Sequence, residues 1–132
     1  LNSRRILLIE DEADIAVLAR FALEDAGYDV QATDNGTSGL EILRGDPSIG
    51  LVILDLMLPG MNGYEVLETI KSDPVLSKVP VLIFSALVQE REVDMGYRLG
   101  AVGYIRKPFD ADNMLATIGR FFPNGGGNGD SA

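Results

Sequence analysis

The sequence predicts a doubly wound α/β fold, (βα)5, with a five-stranded parallel sheet and helices on both of its faces. Three observations lead there. Short runs of consecutive apolar residues recur along the chain, at Ile6-Leu7-Leu8-Ile9, Leu51-Val52-Ile53-Leu54 and Val81-Leu82-Ile83-Phe84, and runs of this kind bounded by turn signals are strands buried on both faces. Apolar residues return at helical spacing between the runs. The runs also stop at residues that carry chemistry: Glu10-Asp11-Glu12, then Asp55, then Ser85, and finally Lys107 after Tyr104-Ile105-Arg106. An open parallel sheet gathers its chemistry in the crevice beyond the carboxyl ends of its strands.

Each element follows from local signals. After the first strand, Ile15, Leu18, Ala19, Ala22, Leu23 and Ala26 mark a helix that Gly27 ends. Asp29 to Thr33 reads as the second strand, and Asn35-Gly36 as a turn. That turn also fits a glycosylation sequon with Thr37, but it serves better as the entry to a second helix carrying Leu40, Ile42 and Leu43, which closes near Gly45-Asp46-Pro47. Leu51 to Asp55 is the third strand. Leu58-Pro59-Gly60-Met61-Asn62-Gly63 is a loop by its Pro and Gly content. A helix with Val66, Leu67 and Ile70 ends at Ser72-Asp73-Pro74. Val81 to Ser85 is strand four, followed by a charged helix from Gln89 to Leu99. Val102 to Ile105 is strand five, and Asp110 to Phe122 the last helix. Residues 4–122 thus form the folded domain, and residues 123–132, rich in glycine, read as a flexible tail or linker.

Bulk composition narrows the function. With 132 residues, 46% hydrophobic and 23% charged, the chain suits one ordinary globular domain. A formal charge of −9 argues against non-specific nucleic-acid binding, which needs a basic stripe. Cysteine and histidine are both absent, which removes disulfides, thiolate sites, the usual general base and the commonest zinc ligand. No apolar stretch approaches the ~20 residues needed to span a bilayer, and no signal-peptide pattern is present, so the expected compartment is the cytoplasm.

Asp55 stands out, at the end of a central strand and facing Asp11 on its neighbour. Carboxylates sharing one cleft repel each other unless a cation or proton intervenes. An all-oxygen donor set points to Mg²⁺ or Mn²⁺. A carboxylate can also be the nucleophile in phosphoryl transfer, with the metal and an ammonium neutralising the phosphoryl oxygens. Glu12 and Asp14 read differently, as solvated acids at the entry to the first helix, where the dipole favours them.

Taken in order, Ile6-Leu7-Leu8-Ile9-Glu10-Asp11-Glu12, Leu54-Asp55-Leu56-Met57-Leu58-Pro59-Gly60-Met61-Asn62-Gly63, Phe84-Ser85-Ala86 and Gly100-Ala101-Val102-Gly103-Tyr104 with Lys107-Pro108-Phe109 resemble the receiver domains of two-component response regulators. The resemblance runs from Arg4 to Phe121. It implies the flavodoxin-like strand order 2-1-3-4-5 and a signalling switch, not a turnover enzyme: such a domain catalyses only its own phosphorylation and slow autodephosphorylation. Asp55 would be the phosphoacceptor, charged by a sensor histidine kinase or a histidine phosphotransfer protein. Asp11 and Asp55 would bind Mg²⁺ directly, with the backbone carbonyl of Met57, and Glu10 through water. Ser85 and Lys107 would hold the phosphoryl oxygens, and the Lys107-Pro108 bond would be cis. Tyr104 would be the aromatic switch that turns inward as Ser85 moves. Met57 and Leu87 would tune dephosphorylation, and since both are apolar, a long-lived phosphoform is expected. Output would pass through the surface of the fourth helix, fifth strand and fifth helix to a downstream effector domain or protein, with no membrane or direct nucleic-acid contact.

Two departures qualify this. Glu10 stands where the family more often has Asp, and Val102-Gly103 precede Tyr104 where DNA-binding members that dimerise often carry two acids. A monomer, or a weak phosphorylation-dependent dimer, is therefore expected. Lys107, at a strand end, is expected to read phosphate and to contribute little to stability. Three rivals are weaker. A phosphatase of the haloacid dehalogenase type would need an acid where Met57 stands. A flavin carrier would meet repulsion between Glu10-Asp11-Glu12 and its phosphate. An interaction module that works without phosphorylation would have lost the acceptor, the lysine or a metal acid.

Overall fold

The computed structural model describes residues 4–86 and 89–122. Leu87 and the tail at 123–132 lie outside the described residues. Five strands, β1 (Arg5–Ile9), β2 (Asp29–Thr33), β3 (Ile49–Leu54), β4 (Val81–Ser85) and β5 (Gly103–Arg106), alternate with five helices. These are α1 (Ala13–Asp25), α2 (Gly36–Gly45), α3 (Gly63–Ser72), α4 (Glu90–Arg98) and α5 (Ala111–Gly119). The sheet is parallel throughout, in the expected order β2-β1-β3-β4-β5.

The two-residue side-chain period of a strand divides the core in two. Leu7, Ile9, Val52, Leu54 and Ile83 face α2 and α3, where Leu40, Leu43, Val66, Leu67 and Ile70 meet them. Ile6, Leu8, Leu51, Ile53, Leu82 and Phe84 face α1 and α5 and pack on Ala19, Leu23, Met114 and Ile118. Burying each large aliphatic side chain contributes ~1.5–3 kcal/mol. These paired faces therefore fix the sheet on which the strand ends are displayed.

Element boundaries differ from the sequence reading for identifiable reasons. β3 begins at Ile49, because Arg5 pairs with Ile49 and Ile6 with Leu51, leaving Gly50 as an irregularity in the ladder. It ends at Leu54, so Asp55 stands just past the strand. β5 is shifted by one residue, with Gly103 opposite Leu82 and Arg106 opposite Ser85. α5 stops at Gly119 because the chain turns there to set Phe122 against Tyr28, ring centroids 5.3 Å apart. A 3-10 turn, Leu76–Lys78, which the sequence reading lacked, buries Leu76 between α3 and β4. Asn35 is a cap: its side chain accepts the Ser38 N–H at 2.8 Å. Gly27 has φ +97°, the left-handed conformation that ends α1.

One glycine ties the fold to the crevice. A Cβ on Gly63, the first residue of α3, would lie 2.3 Å from the Asp55 carbonyl oxygen and 2.4 Å from Leu56 Cα. These obstacles are backbone and cannot rotate away. Gly63→Ala is therefore expected to cost ~2 kcal/mol or more by overpacking and to displace Asp55. Urea unfolding checks it, and an unchanged midpoint would show that α3 can slide without cost.

Candidate functional site

The strand ends are locked to one another by backbone hydrogen bonds. Asp55 N–H donates to Ile9 O at 3.0 Å, Glu10 N–H to Thr33 O at 3.0 Å, and Lys107 N–H to Ser85 O at 3.1 Å. Four polar residues from four strand ends are thereby brought together. Behind Asp55, α3 starts with a capping box: the Asn62 side chain accepts the Glu65 N–H, and the Glu65 carboxylate accepts the Asn62 N–H. The Lys107-Pro108 peptide is cis.

Between them lies a cleft of about 380 Å³ lined by Asp11, Glu12, Asp55, Met57, Ala86 and Lys107. Asp55 is only 2% exposed. Its Oδ1 accepts the Met57 N–H at 2.9 Å and its Oδ2 accepts from Lys107 Nζ at 2.9 Å. Lys107 is the hub. Its Nζ lies 2.6 Å from Glu10 Oε1, 2.9 Å from Asp55 Oδ2 and 3.1 Å from Glu12 Oε1, and only 6% of its side chain is exposed. Phe84 closes the apolar floor, with its ring centroid 5.2 Å from Nζ. Burial acts to lower the Lys107 pKa, but pairing with the Glu10, Asp55 and Glu12 carboxylates outweighs it, and the ammonium is held above its ordinary range. The lysine is thus buried and multiply paired, which revises the expectation that it contributes little to stability.

Glu10 is buried as well. Its carboxyl is pushed up to about 7, because burial and then the Asp55 charge raise it by more than the Lys107 ammonium and the Glu12 N–H lower it. Its Oε2 accepts the Glu12 N–H at 2.9 Å. Its Oε1 has the ammonium beside it but lacks a well-directed hydrogen bond. Asp11 is exposed, and its pKa is raised by partial burial and by the neighbouring Asp55 charge. One oxygen each of Glu10, Asp11 and Asp55 lie within 4.8 Å of one another. An all-oxygen trio that includes an under-satisfied buried oxygen fits Mg²⁺ or Mn²⁺. Met57, whose carbonyl is the expected further ligand, lines the cleft and is 58% exposed.

Ser85 is fully buried at the end of β4, and the half-buried Tyr104 is already hydrogen-bonded to it. Burial raises the Tyr104 phenol, and the Ser85 bond opposes that. Two residues here escaped the sequence reading. Glu12, read as a solvated acid, reaches Lys107 at 3.1 Å while its side chain stays 59% exposed. Tyr64 on α3 donates its hydroxyl to the Glu92 carbonyl of α4 at 3.2 Å, beside Tyr104, and nothing local marked it. Among the described residues, no helix is long and apolar enough to cross a membrane.

Comparison with known proteins gives the same picture from outside. The chain is 40% identical over 114 residues to the "DNA-binding dual master transcriptional regulator RpaA" of Synechocystis sp., covering 86% of this chain and 47% of that protein. It is 36% identical over 115 residues to the "DNA-binding response regulator MtrA" of Mycobacterium tuberculosis, covering 87% and 49%. The chain thus spans about half the length of these curated relatives. The signal receiver domain of a signal transduction histidine kinase from Syntrophus aciditrophicus superposes with a TM-score of 0.82 at 28% identity, covering 90% of this chain and 89% of that one. Chemotaxis protein CheY4 of Vibrio cholerae superposes at 0.84 with 24% identity over 90% and 98%, a likeness of fold. Residues 6–119 match the model of the response regulator receiver domain. Its strand order, its acid cluster at the strand ends and this match agree, and the chain belongs to the response regulator receiver domain family.

Proposed function

We propose that this receiver domain takes a phosphoryl group onto Asp55 in a Mg²⁺-dependent reaction and passes the change to its α4-β5-α5 face. The observation that carries the reading is the environment of Asp55, a buried carboxylate opening into a cleft with Lys107 Nζ 2.9 Å away and Glu10 and Asp11 alongside. The Asp55 carboxylate attacks the phosphorus of a donor, forming an O–P bond as the donor's N–P or O–P bond breaks and the leaving group departs. A sensor histidine kinase or histidine phosphotransfer protein is the donor we assign. Mg²⁺, held by Asp11, Asp55 and the Met57 carbonyl with Glu10 through water, would supply charge neutralisation when bound. Lys107 and Ser85 then hold the phosphoryl oxygens.

Because Ser85 already holds Tyr104, a phosphoryl oxygen competes with the phenol for the Ser85 hydroxyl, and Tyr104 must readjust against Tyr64 and Glu92. A shift of this kind needs only a few kcal/mol between existing states. Apolar Met57 beside the phosphoryl group disfavours an ordered attacking water and a short-lived phosphoform. The output partner is an effector domain or protein, and the domain works in the cytoplasm as a monomer or a weak phosphorylation-dependent dimer.

One NMR experiment tests uptake and relay together. Acetyl phosphate with Mg²⁺ is expected to shift resonances at Asp55, Ser85 and Lys107 and also along α4 and β5, with no change in excess chelator. Shifts confined to the cleft would refute the relay, and shifts that persist in chelator would refute the metal requirement.

A further inference from the structure

A lysine ammonium has three N–H donors; that of Lys107 hydrogen-bonds Asp55 at 2.9 Å and Glu12 at 3.1 Å and lies 2.6 Å from Glu10 Oε1 without a well-directed bond to it. A phosphoryl oxygen that takes a donor from Lys107 competes with these contacts. They are not equivalent. The Glu10 side chain has no exposed surface and that of Asp55 only 3%, so removing their cation would strand a buried charge. The Glu12 side chain is 59% exposed and makes the longest contact, so water can replace the ammonium there at small cost.

We propose that Glu12 is a positioning residue for phosphoryl transfer, a releasable clamp that holds one N–H of Lys107 in the unphosphorylated domain and yields it to the incoming phosphoryl oxygen. The proposal rests on Asp55 being the acceptor. It makes the acid at this position a brake: it keeps Lys107 pointed into the cleft, and it competes with the phosphoryl group for the same donor. Helix capping does not explain Glu12, since as the N-terminal cap of α1 it makes no side-chain capping bond.

The test compares wild type, Glu12→Ala and Asp14→Ala. Asp14 lies in the first turn of α1, carries the same charge, and is not among the carboxylates paired with Lys107. Beryllofluoride with Mg²⁺ is the probe, titrated by NMR. Glu12→Ala is expected to bind it roughly two- to five-fold tighter, the range of an exposed ion pair, while Asp14→Ala changes little because salt screens it. In the free protein, the Lys107 ammonium protons, followed by nitrogen-15 NMR, should exchange faster in Glu12→Ala and at the wild-type rate in Asp14→Ala. Equal tightening by both variants would overturn the clamp in favour of a general charge effect. Unchanged affinity and exchange in Glu12→Ala would overturn it outright. Failure of wild type itself to bind beryllofluoride would instead remove the acceptor reading, and the clamp would fall with it.

Discussion

Asp55→Asn is expected to reduce labelling by acetyl phosphate to the buffer background, whatever the Mg²⁺ concentration. The substitution is nearly isosteric. An amide oxygen can still accept the Met57 N–H that Oδ1 now accepts at 2.9 Å, and the β3–β1 link through the Asp55 backbone N–H is untouched. What is lost is the charge and the nucleophilic oxygen that bonds to phosphorus. Stability should therefore change far less than reactivity, and the variant should unfold as cooperatively as wild type. Intact-mass spectrometry gives the label count directly. The alternative acceptors, Glu10 and Asp11, differ from Asp55 in kind. Glu10 is buried and is not among the residues that line the cleft. Asp11 is exposed and is not among the groups paired with Lys107. A label that survives in Asp55→Asn, and maps to either of them, would displace Asp55 from its role.

How much of this could be read from the chain depends on distance along it. Strand identity was legible because Leu7, Val52 and Leu82 sit in unbroken apolar runs, and the crevice was legible because each run ends at a polar residue. Asp55, Asp11 and Lys107 line one cleft, whereas Ser85 is fully buried at the end of β4 and meets Lys107 through the backbone. The burial of Lys107 was not legible, because its partners Glu12 and Asp55 lie 95 and 52 residues away. Tyr64 escaped for the same reason, as it meets Glu92 across 28 residues. In a sequence a lysine beside a proline has no depth. The ammonium lies below the surface among Glu10, Asp55 and the Phe84 ring. Glu10 is an intermediate case. Its departure from the commoner Asp was visible, but the consequence appears only in three dimensions. The extra methylene sets Oε1 2.6 Å from the ammonium while Oε2 accepts the Glu12 N–H.

Lys107→Met is expected to destabilise the metal-free domain by ~3 kcal/mol at pH 8, a loss typical of removing one partner from a buried pair. The methionine fills much of the same volume, so the cost comes from Glu10 and Asp55, which are left buried without their cation. The sign of the pH dependence follows from Glu10. Its folded pKa, about 7, is above the ordinary value of 4.5, so the folded state binds the proton more readily than the unfolded state. Its contribution to stability is present at low pH and lost as pH rises through that window. In the variant the ammonium that lowers this pKa is gone, so the pKa climbs further and the loss extends to higher pH. The gap in Tm between wild type and variant should therefore narrow toward pH 5.5, where Glu10 takes up a proton, and widen toward pH 8. Saturating Mg²⁺ should close part of the gap, because a cation among Glu10, Asp11 and Asp55 replaces the missing charge. It should not restore the response to beryllofluoride, since no ammonium remains to meet the phosphoryl mimic. Thermal unfolding at both pH values, with and without Mg²⁺, measures all of this. A small loss of Tm, independent of pH and metal, would mean that Glu10 and Asp55 find other partners when Lys107 is gone, and that the lysine is not the hub of the cluster.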